Sequence, residues 1–322
     1  MAVPYKRMVG FGIGLMETAT SVLSMVVLRA AYGMLGEVMA WILLLPLCLP
    51  IFLVSLLPYR ILHATVGKCC YFFLFKVVRY RYSVVLQNLS HALPNKSYRE
   101  IEQLTSAYYK HLSGLLVEMM KLVSGSKKML VKRVRLVNPE LVNQYYDSRR
   151  NIIALLGHYG NWEVLNTLPA KLPYRVYAIF KPLSNSLLCK IMQTIRSRFG
   201  LHLLPADGAL RYLLSRRQQG PSLTLFIADQ YPGRGAKCRV NFLNQQTGAF
   251  NGAERLAKAT DAVVIYVSID PSSYSYDVHF SLITEQPGDT APGVITTRFN
   301  EELQRTIERA PAYWLWSHRR WK

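Results

Sequence analysis

From residue 151 onward, short β-rich runs alternate with helical patterns, and this alternation constrains the fold more than any other feature of the chain. The runs lie at 151–157, 175–180, 222–228, 263–269 and 277–283, and the helical patterns between and after them at about 184–199, 206–218, 251–260 and 292–309. Strands returned by helix-length crossovers assemble into an α/β sheet with helices packed on it, so a mixed central sheet covered by helices is the expected architecture. Ahead of the first run, Ser97 and Glu100 have the spacing of a capping box. Ile101, Leu104, Tyr108, Leu112, Leu115, Met119 and Leu122 then recur at helical spacing through Val123. Asn251 with Glu254 reads as a second cap. No internal repeat and no Ser/Gly/Pro linker divides the chain after about residue 79, so residues 96–322 read as one domain.

The N-terminal part has a different character. Residues 40–57, AWILLLPLCLPIFLVSLL, carry no charge. A membrane-crossing helix needs about 20 mostly apolar residues, so 39–60 reads as a transmembrane or membrane-inserted helix, with Pro46 and Pro50 as kink points. Residues 1–38 form an apolar extension whose stretch 9–28 carries Glu17, Thr18, Thr20 and Ser21, and Gly10 and Gly14 there make a weak GxxxG. A signal peptide is the competing reading, with Lys6 and Arg7 as its basic region, but a small-residue cleavage site is missing. Arg60, Lys68, Lys76, Arg79 and Arg81 follow the run, against Lys6, Arg7 and Arg29 before it, which favours the cytoplasmic side for the chain after Leu57. Residues 61–95 open with an aromatic patch flanked by Lys68 and Lys76. It reads equally as an interfacial amphipathic segment and as a core helix.

Composition removes several classes. With 51% hydrophobic and 18% charged residues the chain is not disordered. Cys48, Cys69, Cys70, Cys189 and Cys238 form an odd set without a C-x-x-C pair, which argues against a disulfide framework. The seven His are scattered, and no His/Cys cluster has the spacing of zinc ligands. No metal or other cofactor is therefore expected. The 39 Lys+Arg against 19 Asp+Glu give a formal charge of +20. Nucleic acid, an anionic membrane surface and an acidic protein all fit such a charge. Nucleic acid is set aside, because no nucleic-acid module accompanies the charge and an apolar run does.

The sharpest chemical feature is NIIALLGHYGNWEVLN at 151–166. His158 directly follows a β-run, and Glu163 comes five positions later. On one continuous helix, five residues at about 100° each would set the two side chains roughly 140° apart. If Gly160 turns the chain and Asn161 caps a new helix, Glu163 falls in its first turn within reach of His158. A carboxylate holding one imidazole nitrogen leaves the other free to take a proton. No G-x-S-x-G elbow, P-loop or H-E-x-x-H is present, so such a base would act on a substrate hydroxyl. An ordinary hydrogen-bonded histidine at a strand end explains the same spacing.

The H-x-x-x-x-E block resembles that of the glycerolipid and lipid A acyltransferase superfamily. GHYGNWE at 157–163 is particularly similar to the late acyltransferases of lipid A biosynthesis, the lauroyl and myristoyl transferases. FKPLSNSLL at 180–188, RSRFG at 196–200, ADQ at 228–230 and PAYWLWSHRRWK at 311–322 follow in the family's order. The resemblance covers roughly residues 42–322 and implies a membrane-bound O-acyltransferase of glycerolipid acyltransferase-like fold. It moves a fatty acyl chain from an acyl carrier protein thioester, or acyl-CoA, to a hydroxyl of a lipid A precursor, on the cytoplasmic face of a bacterial inner membrane. His158 is then the general base and Glu163 its orienting partner. Arg198, with Arg196 as rival, is assigned to phosphate or oxyanion contact, and Asp229 to positioning Arg198 or the acceptor. Lys181, Asn185 and Asn161 complete the expected substrate site. In the terminal WLWSHRRWK the tryptophans are expected to pack and Arg319 or Arg320 to face lipid. Tyr231 stands where many lipid A members carry a second acidic residue. Other acceptors therefore stay open: an amino-acid lipid, a glycolipid or a lysophospholipid. So does a non-catalytic lipid-binding role.

Overall fold

The computed structural model describes residues 49–182, 185–215, 220–233, 235–236 and 238–321. The expectations for 1–38, including the GxxxG, and for most of 39–60 lie outside the described residues. The chain divides into Met1–Val54 and Ser55–Lys322. Of the first unit, the six described residues are helical. Among the described residues no single helix is long and apolar enough to cross a membrane; Leu49–Ser55 and Tyr59–Val77 pass that test of length and composition only as a pair.

The second unit opens with α1 (Tyr59–Val77), a helix in which α turns alternate with wider π turns at His63–Gly67 and Phe72–Val77. The extra residue per π turn rotates the helix face. Leu62 and Phe75 consequently point into the core, while Ile61, Phe72, Phe73 and Val77 stay exposed. Next come α2 (Tyr82–Ala92) and the 27-residue α3 (Tyr98–Ser124), which starts at the expected capping box: Glu100 N donates to Ser97 Oγ, and Ser97 N donates to Glu100 Oε2 at 2.9 Å. Then follow α4 (Lys127–Lys132), β1 (Val134–Leu136), α5 (Glu140–Asp147), β2 (Ile152–Leu156), a 3-10 helix (Trp162–Ala170), β3 (Arg175–Phe180), α6 (Ser186–Ser197), β4 (His202–Pro205), α7 (Ala209–Ser215), β5 (Ser222–Ile227), β6 (Cys238–Phe242), β7 (Gln245–Ala249), α8 (Gly252–Thr260), β8 (Val263–Ser272), β9 (Ser275–Thr284) and α9 (Val294–Arg309).

Among the described residues, seven strands form one sheet in the order β1-β9-β8-β2-β5-β3-β4. β8, β2, β5, β3 and β4 are mutually parallel, and β9 turns back antiparallel on β8 with β1 parallel to β9. The expected mixed sheet with helices around it is what the chain forms. β1, β4 and the separate β6–β7 hairpin escaped the pattern reading. β1 and β4 span three and four residues, too short for an alternation to register. β2 is buried throughout, its side chains alternating between two cores. Ile153 and Leu155 join Leu89, Tyr108, Phe299 and Trp316 on one face; Ile152, Ala154 and Leu156 join Val142, Leu165 and Leu168 on the other. Burial on both faces is why the run at 151–157 reads as continuously apolar.

The cap expected at Asn251 is absent, since its side chain makes no cap hydrogen bond. Glu254 instead reaches across to the start of α9. It accepts from Gly293 N at 2.6 Å, Thr296 N at 3.0 Å and Thr296 Oγ at 2.6 Å, satisfying amides that a helix N-terminus leaves open. Glu254→Ala strands these buried donors and is expected to cost about 2–3 kcal/mol. The denaturant midpoint should fall with the slope unchanged.

Candidate active site

β2 and β5 are adjacent and parallel, with Leu156 in register with Ile227. Two residues beyond these paired ends stand His158 and Asp229, so the sheet register alone sets them side by side at the carboxyl edge, where open α/β sheets place their sites. His158 Nδ1 lies 2.6 Å from Asp229 Oδ1. The backbone N–H of His158 donates to Asp229 Oδ2 at 2.8 Å, as does the Trp314 indole Nε1. Burial pushes the Asp229 carboxyl up, but the His158 imidazole, the donated bonds and the Trp314 indole outweigh it and hold the group below its ordinary value. An ionised carboxylate only accepts hydrogen bonds. Nδ1 therefore carries the ring proton, and the Nε2 lone pair faces outward. The Gln230 side-chain nitrogen stands 3.3 Å from Nε2, and the Trp162 ring meets the imidazole edge-on with centroids 4.9 Å apart.

Two glycines shape this turn. A Cβ on Gly157 would come within 2.6 Å of Leu303 on α9 and 3.2 Å of Asp229 Oδ2. Gly160 has φ +63°, and a Cβ there would lie 2.3 Å from the Ile269 carbonyl oxygen. The turn expected at Gly160 is thus present. Asn161 also starts the next helix as expected, its side-chain oxygen accepting from Glu163 N at 3.1 Å.

The partner expected for His158 is corrected. Glu163 does sit in the first helical turn, but its carboxylate turns away to the Arg196 guanidinium, accepting from Nε at 3.0 Å and from Nη2, with Asn166 Nδ2 at 3.3 Å. The first turn being 3-10 rather than α aims the side chain at α6. Asp229, assigned to Arg198 or to the acceptor, instead holds the histidine. Arg198, preferred over Arg196 for phosphate or oxyanion contact, is placed away from Glu163. Arg198 Nη1 donates to the carbonyls of Leu122 and Val123, both at 2.7 Å, closing the C-terminus of α3. Arg196 lies beside Glu163, which keeps its guanidinium protonated against the burial that would lower it.

An apolar cleft opens next to this pair. One part, about 60 Å³, is lined by Leu156, Trp162, Ala178, Leu203, Ile227 and the Glu163–Arg196 pair. A second part, about 260 Å³, is lined by Met119, Phe180, Lys181, Cys189, Met192 and Arg196. Phe180 and Arg196 border both. Lys181 is thus at the cleft mouth and exposed, and Asn185 stands where α6 begins, its carbonyl accepting from Cys189 N. Arg319 is exposed, whereas Arg320, expected as a possible lipid-facing group, is buried at 1% exposure. A larger cavity of about 680 Å³ beside Cys238, Arg239 and Arg298 contains none of these residues.

Residues 30–322 match the family model of the bacterial lipid A biosynthesis acyltransferases. The chain belongs to that family. None of the curated proteins compared with it matches. Its chemistry is accordingly acyl transfer, which takes an acyl donor and a lipid acceptor. In this acyltransferase the residue missed by sequence reasoning is Trp314, whose indole was read only as packing or interface material. The Asp229 pairing did leave a signal. His158 and Asp229 each directly follow a β-run, at 151–157 and 222–228.

Arg198→Ala removes three charge-assisted bonds, to the carbonyls of Leu122, Val123 and Gly125, from the end of α3 and is expected to cost about 1–3 kcal/mol in equilibrium unfolding. Turnover per folded molecule should be unchanged. Gly160→Ala forces a side chain into the left-handed region against backbone, and loss of about 1–3 kcal/mol is expected in the same measurement.

Proposed function

We propose that this acyltransferase transfers a fatty acyl chain from an acyl carrier protein thioester to a hydroxyl of a lipid A precursor, with His158 as general base. The single observation that carries this reading is the His158–Asp229 pair, whose imidazole meets the ring of Trp162, a residue lining the apolar cleft. The acceptor hydroxyl takes the position of the Gln230 amide at Nε2 and loses its proton to it as the oxygen attacks the thioester carbonyl carbon. The resulting oxyanion collapses, the C–S bond breaks, and the leaving thiolate takes the proton from the His158 imidazolium. Asp229 keeps the tautomer and balances the transient positive charge. Glu163 acts on the substrate side by fixing Arg196, whose guanidinium suits a phosphate or the oxyanion. The cleft takes the acyl chain, with Lys181 and Arg196 at its polar margin; Asn185 stands nearby at the start of α6, and Asn161, buried, shapes the turn that carries the base.

The enzyme works, in this reading, at the cytoplasmic face of a bacterial inner membrane, held by the apolar run at 39–60. The exposed aromatic part of α1, within the segment 61–95, lies in the interface. Phe72 and Phe73, each 55% exposed, with Ile61 and Val77 on the same helix, support that reading, because Lys68, Lys76, Arg79 and Arg81 lie close by in sequence. Acyl carrier protein is acidic and suits a chain of charge +20. Acyl-CoA offers phosphates to the same charge.

The test is mass spectrometry of lipid A and total polar lipids from cells with the native gene, a deletion, His158→Ala and Asp229→Asn. One lipid should lose a single acyl chain in all three altered strains, and its mass names acceptor and chain. With purified protein, His158→Ala and Asp229→Asn should each lower kcat by about 10³–10⁴-fold with KM nearly unchanged. A different lipid changing would move the acceptor to a lysophospholipid, glycolipid or amino-acid lipid. Lipid changes in the deletion but not in His158→Ala would leave a lipid-binding role.

A further inference from the structure

The cavity of about 680 Å³ beside Cys238 has no part in the mechanism. Its walls come from three places: Cys238 and Arg239 on β6, Asn251 ahead of α8, and the stripe Val294, Thr297, Arg298 and Glu301 on α9. β6 and the start of α9 lie against each other, since a Cβ on Gly293 would come 3.7 Å from Cys238 Sγ. The buried Leu303, which reaches the turn at Gly157, is two residues beyond Glu301. At about 100° per residue the two side chains leave α9 roughly 200° apart. The cavity is thus on the other side of α9 from the base.

The side chains of this wall hold unspent hydrogen-bonding capacity. Arg239 is exposed and makes no hydrogen bond or ion pair among the described residues. Arg298 donates from Nη1 to the Ile283 carbonyl at 3.1 Å, which anchors the guanidinium and leaves its other N–H groups unspent. The Asn251 side chain makes no cap bond. By contrast, the first amides of α9 are already engaged, Gly293 N and Thr296 N donating to the Glu254 carboxylate. Recognition in the cavity therefore belongs to side chains and not to the helix terminus.

The charges here also stay apart where the fold pairs them elsewhere. On the same helix Arg305 donates to Glu302 at 2.6 Å, and Arg309 to Asp270 at 2.8 Å. Arg298 and Glu301 have the three-residue spacing of Glu302 and Arg305, yet among the described residues Glu301 pairs with neither Arg298 nor Arg239. Two guanidinium groups from different elements that meet in one concavity suit the oxygens of a phosphate. An amide, a hydroxyl and a carboxylate beside them suit the hydroxyl or amine groups of the same ligand. The polar wall is wrong for an acyl chain, and Glu301 repels a bare polyanion. The volume lies in the range of small-molecule sites, about 300–1,000 Å³.

We propose that this cavity binds a phosphate ester of a hydroxyl- or amine-bearing group. Arg239 and Arg298 take the phosphate, and Asn251, Thr297 and Glu301 the polar group it is attached to. Two sources carry that chemistry: a phosphosugar headgroup on the acceptor, and the headgroup of a membrane phospholipid. The assignment concerns binding alone and does not depend on His158 being the base.

The experiment is calorimetric titration of the full-length protein in dodecyl maltoside micelles with glucosamine phosphate, phosphoethanolamine and unphosphorylated glucosamine. At least one of the two phosphate esters should bind saturably, and glucosamine should not. Arg239→Gln should weaken that binding by about 10–100-fold, the scale of a charge-assisted contact. Arg239 has no internal bond to lose, so this variant separates binding from folding; Arg298→Gln should act in the same direction. Arg305→Gln, on the same helix but paired with Glu302, should bind as the native protein does. If the acceptor is the source, Arg239→Gln raises the acceptor KM with kcat kept, and glucosamine phosphate competes with the acceptor. If a phospholipid is the source, the acceptor KM holds, and Arg239→Gln loses flotation on phosphatidylethanolamine vesicles relative to Arg305→Gln. Absence of saturable binding by either ester overturns the proposal. So does binding that survives both Arg239→Gln and Arg298→Gln, or equal binding of unphosphorylated glucosamine. Binding is read without turnover and should persist in His158→Ala, so a failure of the base assignment and a failure of this site are told apart.

Discussion

The carboxylate of Asp229 is the point on which the site depends. It is buried, it is ionised, and it accepts three hydrogen bonds from two parts of the chain: the ring and backbone of His158 and the indole of Trp314. A buried carboxylate is tolerated only when its lone pairs are matched in this way. Each donor is therefore constrained by the others. The ring bond selects the tautomer, the backbone bond sets the turn after β2, and the indole bond ties both to the last residues of the chain.

That terminal segment is held as firmly as a core element although it has almost no regular structure. Asn88 Nδ2 donates to the carbonyls of Trp316 and His318, Arg81 donates to the Ser317 carbonyl, and Ser317 N donates to the Tyr108 hydroxyl. Leu315 N donates to the His158 carbonyl, and Gly160 N to the Tyr313 carbonyl. Helices α2 and α3 thus brace the back of the segment while its front supports the turn that carries the base. The same α3 receives Arg198 at its C-terminus, and the buried Lys121 near its end donates to the carbonyls of Ser55 and Leu57 at 2.7 and 2.9 Å. One long helix links the first residues of the compact unit to both sides of the site.

Charge is distributed in two ways. Some basic residues are spent within the protein on carbonyls and carboxylates, as with Lys121, Arg133 on Glu118, and Arg196 on Glu163. Others, including Lys76, Arg79, Arg81 and Arg319, remain exposed. A formal charge of +20 is therefore not a uniform surface property. The part relevant to an anionic partner is the exposed fraction, including that beside the aromatic end of α1.

The alternation of strand and helix after residue 151, the long capped helix at 97–123 and the turn at Gly160 were all legible in the sequence, because each rests on near neighbours: periodicity, a capping box, a residue without Cβ. The position of His158 at a strand end was legible for the same reason. Its partner left only a trace, the β-run that each of the two residues follows. Glu163 is five residues away along the chain and Asp229 seventy-one, but β5 lies beside β2 in register, so the distant carboxylate arrives at Nδ1 while the near one is turned toward Arg196 by a 3-10 turn. The different contacts of Arg196 and Arg198, two residues apart on or just beyond α6, have the same origin: which of them met Glu163 and which met the end of α3 depended on how α6 docks. The sequence by itself determined which elements form and which residue types they carry to the sheet edge, since those follow from local sterics and periodicity. Only the tertiary structure decided which of those residues touch, because strand order and helix docking are set by burial across the whole sheet, and no spacing along the chain encodes them.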